Sequence, residues 1–118
     1  MNEALEIYQN EFRPNKELKK PKINICLWSL ISEDNEKAKF LFSSRAFWKM
    51  KRNFGQLDSL SSPKESLFHI KENGWENEFE KMFMNALVGN KKNVKEKIND
   101  LNKKVKSDEI TVLTWCFD

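Results

Sequence analysis

A helical pattern that leads directly into a short apolar strand, between residues 91 and 115, constrains the fold of this chain more than any other feature. Apolar side chains recur at helical spacing at Val94, Ile98, Leu101 and Val105. The run 108–115, DEITVLTW, follows with β-branched residues and little polar alternation. Strands of that kind are typical of parallel sheets covered on both faces. The pattern therefore predicts a helix and a strand that form half of a βαβ unit.

Length and charge set the broad class. The 118 residues, with 39% hydrophobic and 33% charged side chains, suffice for one domain, and we treat 1–118 as a single unit. The 21 Lys and Arg against 18 Asp and Glu give a formal net charge of +3, too small to indicate nucleic-acid binding. The first residues lack a secretory signal, and the apolar run 23–31 is about half the length that spans a bilayer. We expect a cytoplasmic protein with no membrane or nucleic-acid partner.

The rest of the chain is predicted to form further helices and one more strand. A helix is predicted over 2–12, ending before Pro14, and a buried parallel strand over 22–31. The next helix is expected from a cap at Ser32 to about Asn53, with Gly55 as its stop. Its shared face carries Ala38, Leu41, Phe42, Arg45 and Trp48. Two short helices should follow, one opened by the capping box Ser62-Pro63-Lys64-Glu65 and one over Glu76–Met84.

Alternation along the 22–31 strand assigns its two faces. Ile23, Ile25 and Leu27 share one face, which we expect to meet helices, and Asn24, Cys26 and Trp28 share the other. Cys26 and Cys116 lie in predicted strands, where a thiol usually behaves as a small buried hydrophobe. A disulfide between them is the less favoured interpretation.

The residue types in the sequence give little support for a catalytic site or a metal site. His69 is the only histidine, so we predict no metal site, and nothing in the sequence brings His69 to Cys26 or Cys116 as a nucleophilic pair. The catalytic residues are left unassigned.

Lysines surround the 91–106 helix and admit two interpretations. They could contact a phosphate backbone, but Glu96 and Asp100 interrupt them, and a solvated outer face is the favoured interpretation. The lysines are Lys91, Lys92, Lys95, Lys97, Lys103, Lys104 and Lys106.

Two tryptophans lie near predicted strand ends. Trp28 and Trp115 could stack on a planar ligand, although ordinary core aromatics are the commoner use of such residues.

Several short segments, taken in order, resemble the C-terminal part of a luciferase-like flavin-dependent monooxygenase. Each is weak alone, but their order and separations match over nearly the whole chain. The segments are FRPNKEL at 12–18, the strand 22–31 followed by DNEKA at 34–38, ALVGN at 86–90 with Val94, and DEI at 108–110 leading into VLT at 112–114.

This resemblance implies an α/β fold that is part of a (β/α)₈ barrel, with two parallel strands and crossover helices. The helix over 2–12 would be the sixth barrel helix, the strand 22–31 the seventh strand, and Glu109–Phe117 the eighth. Residues between them would form the seventh helix and an insertion near the mouth of the site.

The resemblance also implies a cofactor, since the family uses reduced FMN or F420 and, with flavin, activates oxygen. Such barrels carry their chemistry at the carboxyl ends of the strands, here 29–32 and 115–118. Trp28 stands where relatives often carry a polar residue, which places any inherited catalytic role there in doubt. As lining of the cofactor pocket we predict Trp28, Thr114, Trp115 and Cys116.

The matching segments make up only part of a barrel, and this leads to an expectation about flavin binding and activity. The family's flavin loops lie upstream of the matching segments, and two parallel strands cannot close a barrel. We expect no tight flavin binding and no turnover by the chain alone, and either self-association or a complementary upstream chain as partner. The alternative is a small self-associating α/β interaction module or barrel remnant without catalysis.

Overall fold

The computed structural model describes residues 2–115 and 117 and has an α/β architecture. Its strands form one parallel sheet in the order β2-β1-β3. The α/β class and the parallel pairing confirm the prediction, with a third strand, β2, that the sequence pattern did not indicate. The elements are α1 (Asn2–Glu11), β1 (Asn24–Ser32), α2 (Asn35–Asn53), α3 (Pro63–Glu72), α4 (Glu76–Asn85), β2 (Leu87–Asn90), α5 (Lys91–Val105) and β3 (Glu109–Leu113).

Strand β1 pairs with a different neighbour along each half of its length. Residues Asn24 to Trp28 pair with β3, from Glu109 to Leu113, and residues Ser29 to Ser32 pair with β2, from Leu87 to Asn90. At the start of the sheet, the backbone N–H of Ile23 donates to Oδ2 of Asp108 at 2.8 Å. Asp108 therefore fixes where β3 begins against β1.

The caps explain where the helices begin. Asp34 caps α2 by accepting a hydrogen bond from the Lys37 backbone N–H at 2.7 Å, so the cap predicted at Ser32 is wrong. Ser32 is unavailable because it still belongs to β1 and pairs with Asn90. The capping box of α3 is confirmed, with Ser62 accepting from the N–H of Glu65 and the Glu65 side chain accepting from the N–H of Ser62.

The two faces of β1 pack against different helices. Ile23 and Ile25 form a small buried cluster with Val105 of α5, against which Leu5 of α1 packs. This confirms that the isoleucine face meets helices. The opposite face and the end of β1 join a larger cluster with α2, α3, α4 and β2, whose buried members are Leu30, Ala38, Phe42, Ala46, Phe47, Met50, Ile70, Phe79 and Val88.

Two expectations about burial are wrong. Strand β3 ends at Leu113, whereas the sequence predicted an end at Phe117. The strand was predicted to be covered on both faces, but it is largely exposed, and the side chains of Val112 and Leu113 are 52% and 51% accessible. Its apolar side chains extend past the reach of α5, which packs on β2 and the first part of β1. Cys26 is an exposed free thiol rather than a buried hydrophobe, because its face of β1 opens into a cavity at that position.

Lys97 is the exception to the solvated lysine face predicted for α5. Its ammonium group donates to three backbone carbonyls, of Phe83 at 2.9 Å, Ala86 at 2.9 Å and Val88 at 3.1 Å. It also lies 4.8 Å from the centre of the Phe83 ring, and burial lowers the pKa of Lys97. Lys97 thus connects α5 to the junction of α4 and β2.

Gly89 permits the close approach of β2 to the first turn of α2. Its φ of 148° lies in the region that favours glycine, and a Cβ there would stand 2.8 Å from Oδ1 of Asn35 and 3.3 Å from Cβ of Asn93. The same Asn35 oxygen accepts the backbone N–H of Asn90 at 2.8 Å. A side chain at position 89 would displace this hydrogen bond.

Among the described residues, no helix combines the length and the apolarity needed to cross a membrane.

Replacing Lys97 by Met should lower the free energy of unfolding by about 1–3 kcal/mol, because three half-buried carbonyls lose a charged donor. Urea denaturation followed by circular dichroism measures the change. Lys95→Met, at an exposed position of the same helix, is the matched control and should leave stability nearly unchanged. Equal effects of the two substitutions would contradict the bridging role of Lys97.

Gly89→Ala should destabilise the chain more than Gly74→Ala, although both glycines have positive φ. At Gly74 a Cβ meets nothing within 4 Å, so only the left-handed backbone costs free energy, about 1–2 kcal/mol. At Gly89 the overlap with Asn35, together with a φ of 148° that alanine adopts less readily than the left-handed region, should add about 1–3 kcal/mol. Thermal and urea unfolding of both variants test the difference, and similar losses would show that the Asn35 contact is unimportant.

Candidate functional site

A cavity of about 550 Å³ lies on the face of β1 that carries Cys26 and Trp28. Its other sides are formed by the residues at the end of β3 and by helices α2 and α4. Its volume falls within the range of small-molecule sites. Its lining residues are Cys26, Leu27, Trp28, Phe42, Arg45, Lys49, Glu78, Lys81, Met82, Asn85, Ala86, Leu113 and Trp115.

Aromatic side chains from separate elements form two walls of this cavity. The rings of Trp28 on β1 and Phe42 on α2 have their centres 5.2 Å apart. Trp115 meets Trp48 of α2 edge to face at 5.4 Å, and Trp48 is held in turn because its Nε1–H donates to the carbonyl of Asp58 at 3.0 Å. Of these rings, Trp28, Phe42 and Trp115 line the cavity and offer flat apolar surfaces to a ligand. Trp48 contacts Trp115 without lining the cavity.

Arg45 of α2 lies beside both tryptophan rings, Trp48 and Trp115. The central carbon of its guanidinium is 5.0 Å from the centre of the Trp48 ring and 4.7 Å from that of Trp115. Its Nε and Nη1 atoms are buried and have no hydrogen-bond partner among the described residues. Burial, together with the nearby charge of Arg52, lowers the pKa of Arg45. The indole Nε1 of Trp28 is a second buried donor with no partner there.

Charge in the lining is unbalanced in favour of cations. Arg45, Lys49 and Lys81 face one carboxylate, Glu78. In the part of the chain that the structure describes, none of these four side chains forms an ion pair. The arrangement can accommodate an anionic group beside aromatic and aliphatic walls.

Of the four residues predicted from the sequence to line the cofactor pocket, the two tryptophans line the cavity. Trp28 and Trp115 both line the cavity, although they are 87 positions apart, whereas Thr114 is exposed and does not line it. Cys116 lies outside the described residues. Among the predicted strand-end residues, Ser29 has a structural role, since its buried hydroxyl donates to the carbonyl of Leu87 at 2.8 Å.

Arg45, Lys49 and Lys81 are the cations of the cavity that sequence reasoning missed as site residues. The available signal was a cation on an otherwise apolar helix face, because Arg45 shares its face with Phe42 and Trp48. That pattern can also mark an arginine that reaches solvent over the core. Only the position of Trp115, brought in by β3, shows that Arg45 is covered.

The one histidine of the chain, His69, does not line this cavity. His69 lies on α3, with its ring stacked on Phe47 at 5.4 Å and its Nδ1 3.3 Å from Oε2 of Glu72. It is not brought to Cys26, which lines the cavity. Within residues 2–115 and 117, no group of three or more potential metal-ligating side chains comes together.

A second cleft, of about 710 Å³, lies between α2, α3 and α4. There Lys39 is ion-paired with Glu80, and the lining also holds Glu36 and Glu76. We regard the first cavity as the candidate site because it lies at the open face of the sheet and contains unsatisfied donors.

Comparison with known proteins identifies relatives but no family profile, since none matches the chain. The sequence is 28% identical over 118 residues to a luciferase-like monooxygenase of Escherichia coli, in both strain K12 and strain O6:H1. It is 31% identical over 122 residues to the uncharacterized protein YvbT of Bacillus subtilis. These matches take in 98% of this chain but only 34–35% of each relative.

A solved structure shares the fold. The crystal structure of apo-MsnO8 matches 98% of this chain with a TM-score of 0.75 at 16% identity, and the match spans 36% of that protein. The chain thus has about a third of the length of the proteins it resembles. In sequence it is similar, over nearly its whole extent, to one segment of the luciferase-like monooxygenases, as its ordered motifs predict.

Proposed function

We propose that this chain is the C-terminal segment of a cytoplasmic luciferase-like, flavin-dependent monooxygenase, that it supplies one wall of the flavin and substrate site, and that it is inactive alone. The observation that carries the proposal is the similarity of 98% of the chain to about 35% of luciferase-like relatives. The end of β3 supports it, because chemistry in (β/α)₈ barrels takes place at the carboxyl ends of the strands, and Leu113 and Trp115 line the cavity there. From β1, however, the cavity is lined by the middle residues Cys26 to Trp28.

The cavity offers suitable chemistry for part of a flavin site. Trp28 and Trp115 present ring faces for a planar group, and the Nε1–H of Trp28 is a donor still lacking an acceptor among the described residues. An isoalloxazine ring is flat and rich in acceptors, so these residues would hold one side of it. The reduced flavin, FMN or F420 type, would supply the electrons, and with FMN the activation of oxygen.

Lack of independent activity follows from the geometry of a barrel. A closed barrel of this class has eight parallel strands, and the sheet in the described residues has three. One wall provides few of the contacts that a bound cofactor needs, and it cannot exclude water from a reactive intermediate. A complementary upstream chain would be needed to complete the site.

Titration of the purified chain with FMN, and separately with F420, in oxidised and reduced form should show no saturation at micromolar concentration. Calorimetry and flavin fluorescence measure the binding, and oxygen consumption with reduced flavin measures turnover. The full-length E. coli relative serves as the reference under the same conditions. A micromolar dissociation constant, or oxygen consumption above that of free flavin, would overturn the proposed inactivity.

A self-associating module is the second candidate function, favoured by the exposed apolar strand β3. Val112 and Leu113 are about half accessible, and the free edge of a parallel strand presents unpaired backbone groups. Pairing between copies of the chain would cover both. On this hypothesis the chain acts through assembly rather than catalysis.

Val112→Lys should shift any such assembly towards monomer, because a lysine on an edge strand opposes pairing between chains. Sedimentation velocity over a range of protein concentrations measures the shift. Leu57→Lys is the control, since Leu57 is 77% exposed in the connection between α2 and α3. A wild-type chain that stays monomeric at all concentrations would refute self-association.

A further inference from the structure

Burial of the Arg45 guanidinium costs free energy that no hydrogen bond to a described residue offsets at Nε or Nη1. A polar group buried without a hydrogen-bond partner loses its contact with water and gains nothing equivalent. Arg45 leaves both Nε and Nη1 in that condition. The nearest opposite charge in the cavity lining, Glu78, is not ion-paired with it.

Attraction to the two tryptophan rings stabilises the charge of this guanidinium but gives its N–H groups no acceptor. Trp48 and Trp115 attract the positive charge through their ring faces, at 5.0 and 4.7 Å. Such contacts leave the in-plane N–H groups of an arginine free to donate. A guanidinium held beside two rings, with a buried Nε and Nη1 that have no acceptor among the described residues, is preorganised for a planar two-oxygen acceptor.

The rest of the lining indicates what else the ligand should carry. Leu27, Met82, Ala86 and Leu113 supply aliphatic surface next to the rings of Trp28 and Phe42. Lys49, four residues after Arg45 on α2, and Lys81 on α4 add positive charge. The lining thus combines one apolar region with an excess of cations.

We propose that this cavity binds an organic carboxylate, with its carboxyl group at Arg45 and its apolar body along Phe42, Met82 and Leu113. The proposal rests on the proposed function in placing the substrate of that function in this cavity, and it names the substrate class. Binding itself needs neither flavin nor a completed barrel, because all of the residues invoked belong to this chain.

The test compares three probes that separate the charged head from the apolar body. Octanoate carries both, acetate carries the head alone, and 1-octanol carries the body alone. Isothermal titration calorimetry of the full chain should give an octanoate dissociation constant at least tenfold lower than that of either other probe. Saturating octanoate should also raise the melting temperature, since it binds the folded state.

Two arginine variants assign the selectivity to one residue. Arg45→Met removes the charge and keeps an unbranched apolar side chain, and it should abolish the preference for octanoate over 1-octanol. Arg52→Met is the matched control, because Arg52 lies on the same helix and contacts Trp48 at 5.5 Å, yet is exposed and does not line the cavity. That variant should keep the preference.

Several results would overturn the inference. They are the absence of octanoate binding to the wild-type chain, equal affinity for octanoate and 1-octanol, and an unchanged preference in Arg45→Met. Loss of the preference in Arg52→Met would do the same. Should Arg45→Met fail to fold by circular dichroism, Arg45→Lys replaces it, and the lysine should weaken octanoate binding because an ammonium cannot make the two-point contact.

The outcome is separable from that of the flavin titration. Octanoate selectivity with no flavin binding supports this inference and the proposed inactivity together. Tight flavin binding without octanoate selectivity would overturn both the proposed inactivity and this inference. Tight binding of both would overturn the inactivity alone.

Discussion

The pairing of β1 with two different strands is the constraint on which the rest of the structure depends. Parallel strands cannot be joined by tight turns, so each partner of β1 must be reached through helices that cross a face of the sheet. Helices α2, α3 and α4 make the connection from β1 to β2, and α5 makes the connection from β2 to β3. Alternation of the side chains along β1 then separates two helical layers, with α1 and α5 on the isoleucine face and α2 and α4 on the other.

That separation produces both the core and the cavity. The isoleucine face of β1 is closed by α1 and α5, whereas α2 and α4 close only the far end of the opposite face, around Leu30 and Phe42. Between the closed end and the exposed strand β3 the face stays open, and there Cys26 and Trp28 line the cavity. Lys97 and Gly89 hold β2 in place at the closed end, through hydrogen bonds to carbonyls and through close packing against Asn35.

The candidate site differs from the core in its electrostatics. In the core, the buried hydroxyls of Ser29 and Ser43 are hydrogen-bonded to backbone carbonyls, and that of Ser44 has no partner among the described residues. At the cavity, the donors of Trp28 and Arg45 lack partners among the described residues. Unsatisfied buried donors are costly, and three of the four such atoms in the described residues lie at the cavity, which is the basis of the proposed carboxylate site.

Local signals in the sequence determined the helices, the α3 capping box, the isoleucine face of β1 and the parallel α/β class. Each of these depends on residues within a few positions of one another, as in the stripe from Val94 to Val105. The tertiary structure alone decided the existence of β2, the inward position of Lys97 and the burial of Arg45 beneath Trp115. These depend on contacts between distant segments: β2 has only four residues and is recognisable by its pairing with β1, and Trp115 reaches Arg45 through the register of β3. Periodicity assigns a side chain to a face of its own element, but which segment covers that face is set by the packing of the whole chain.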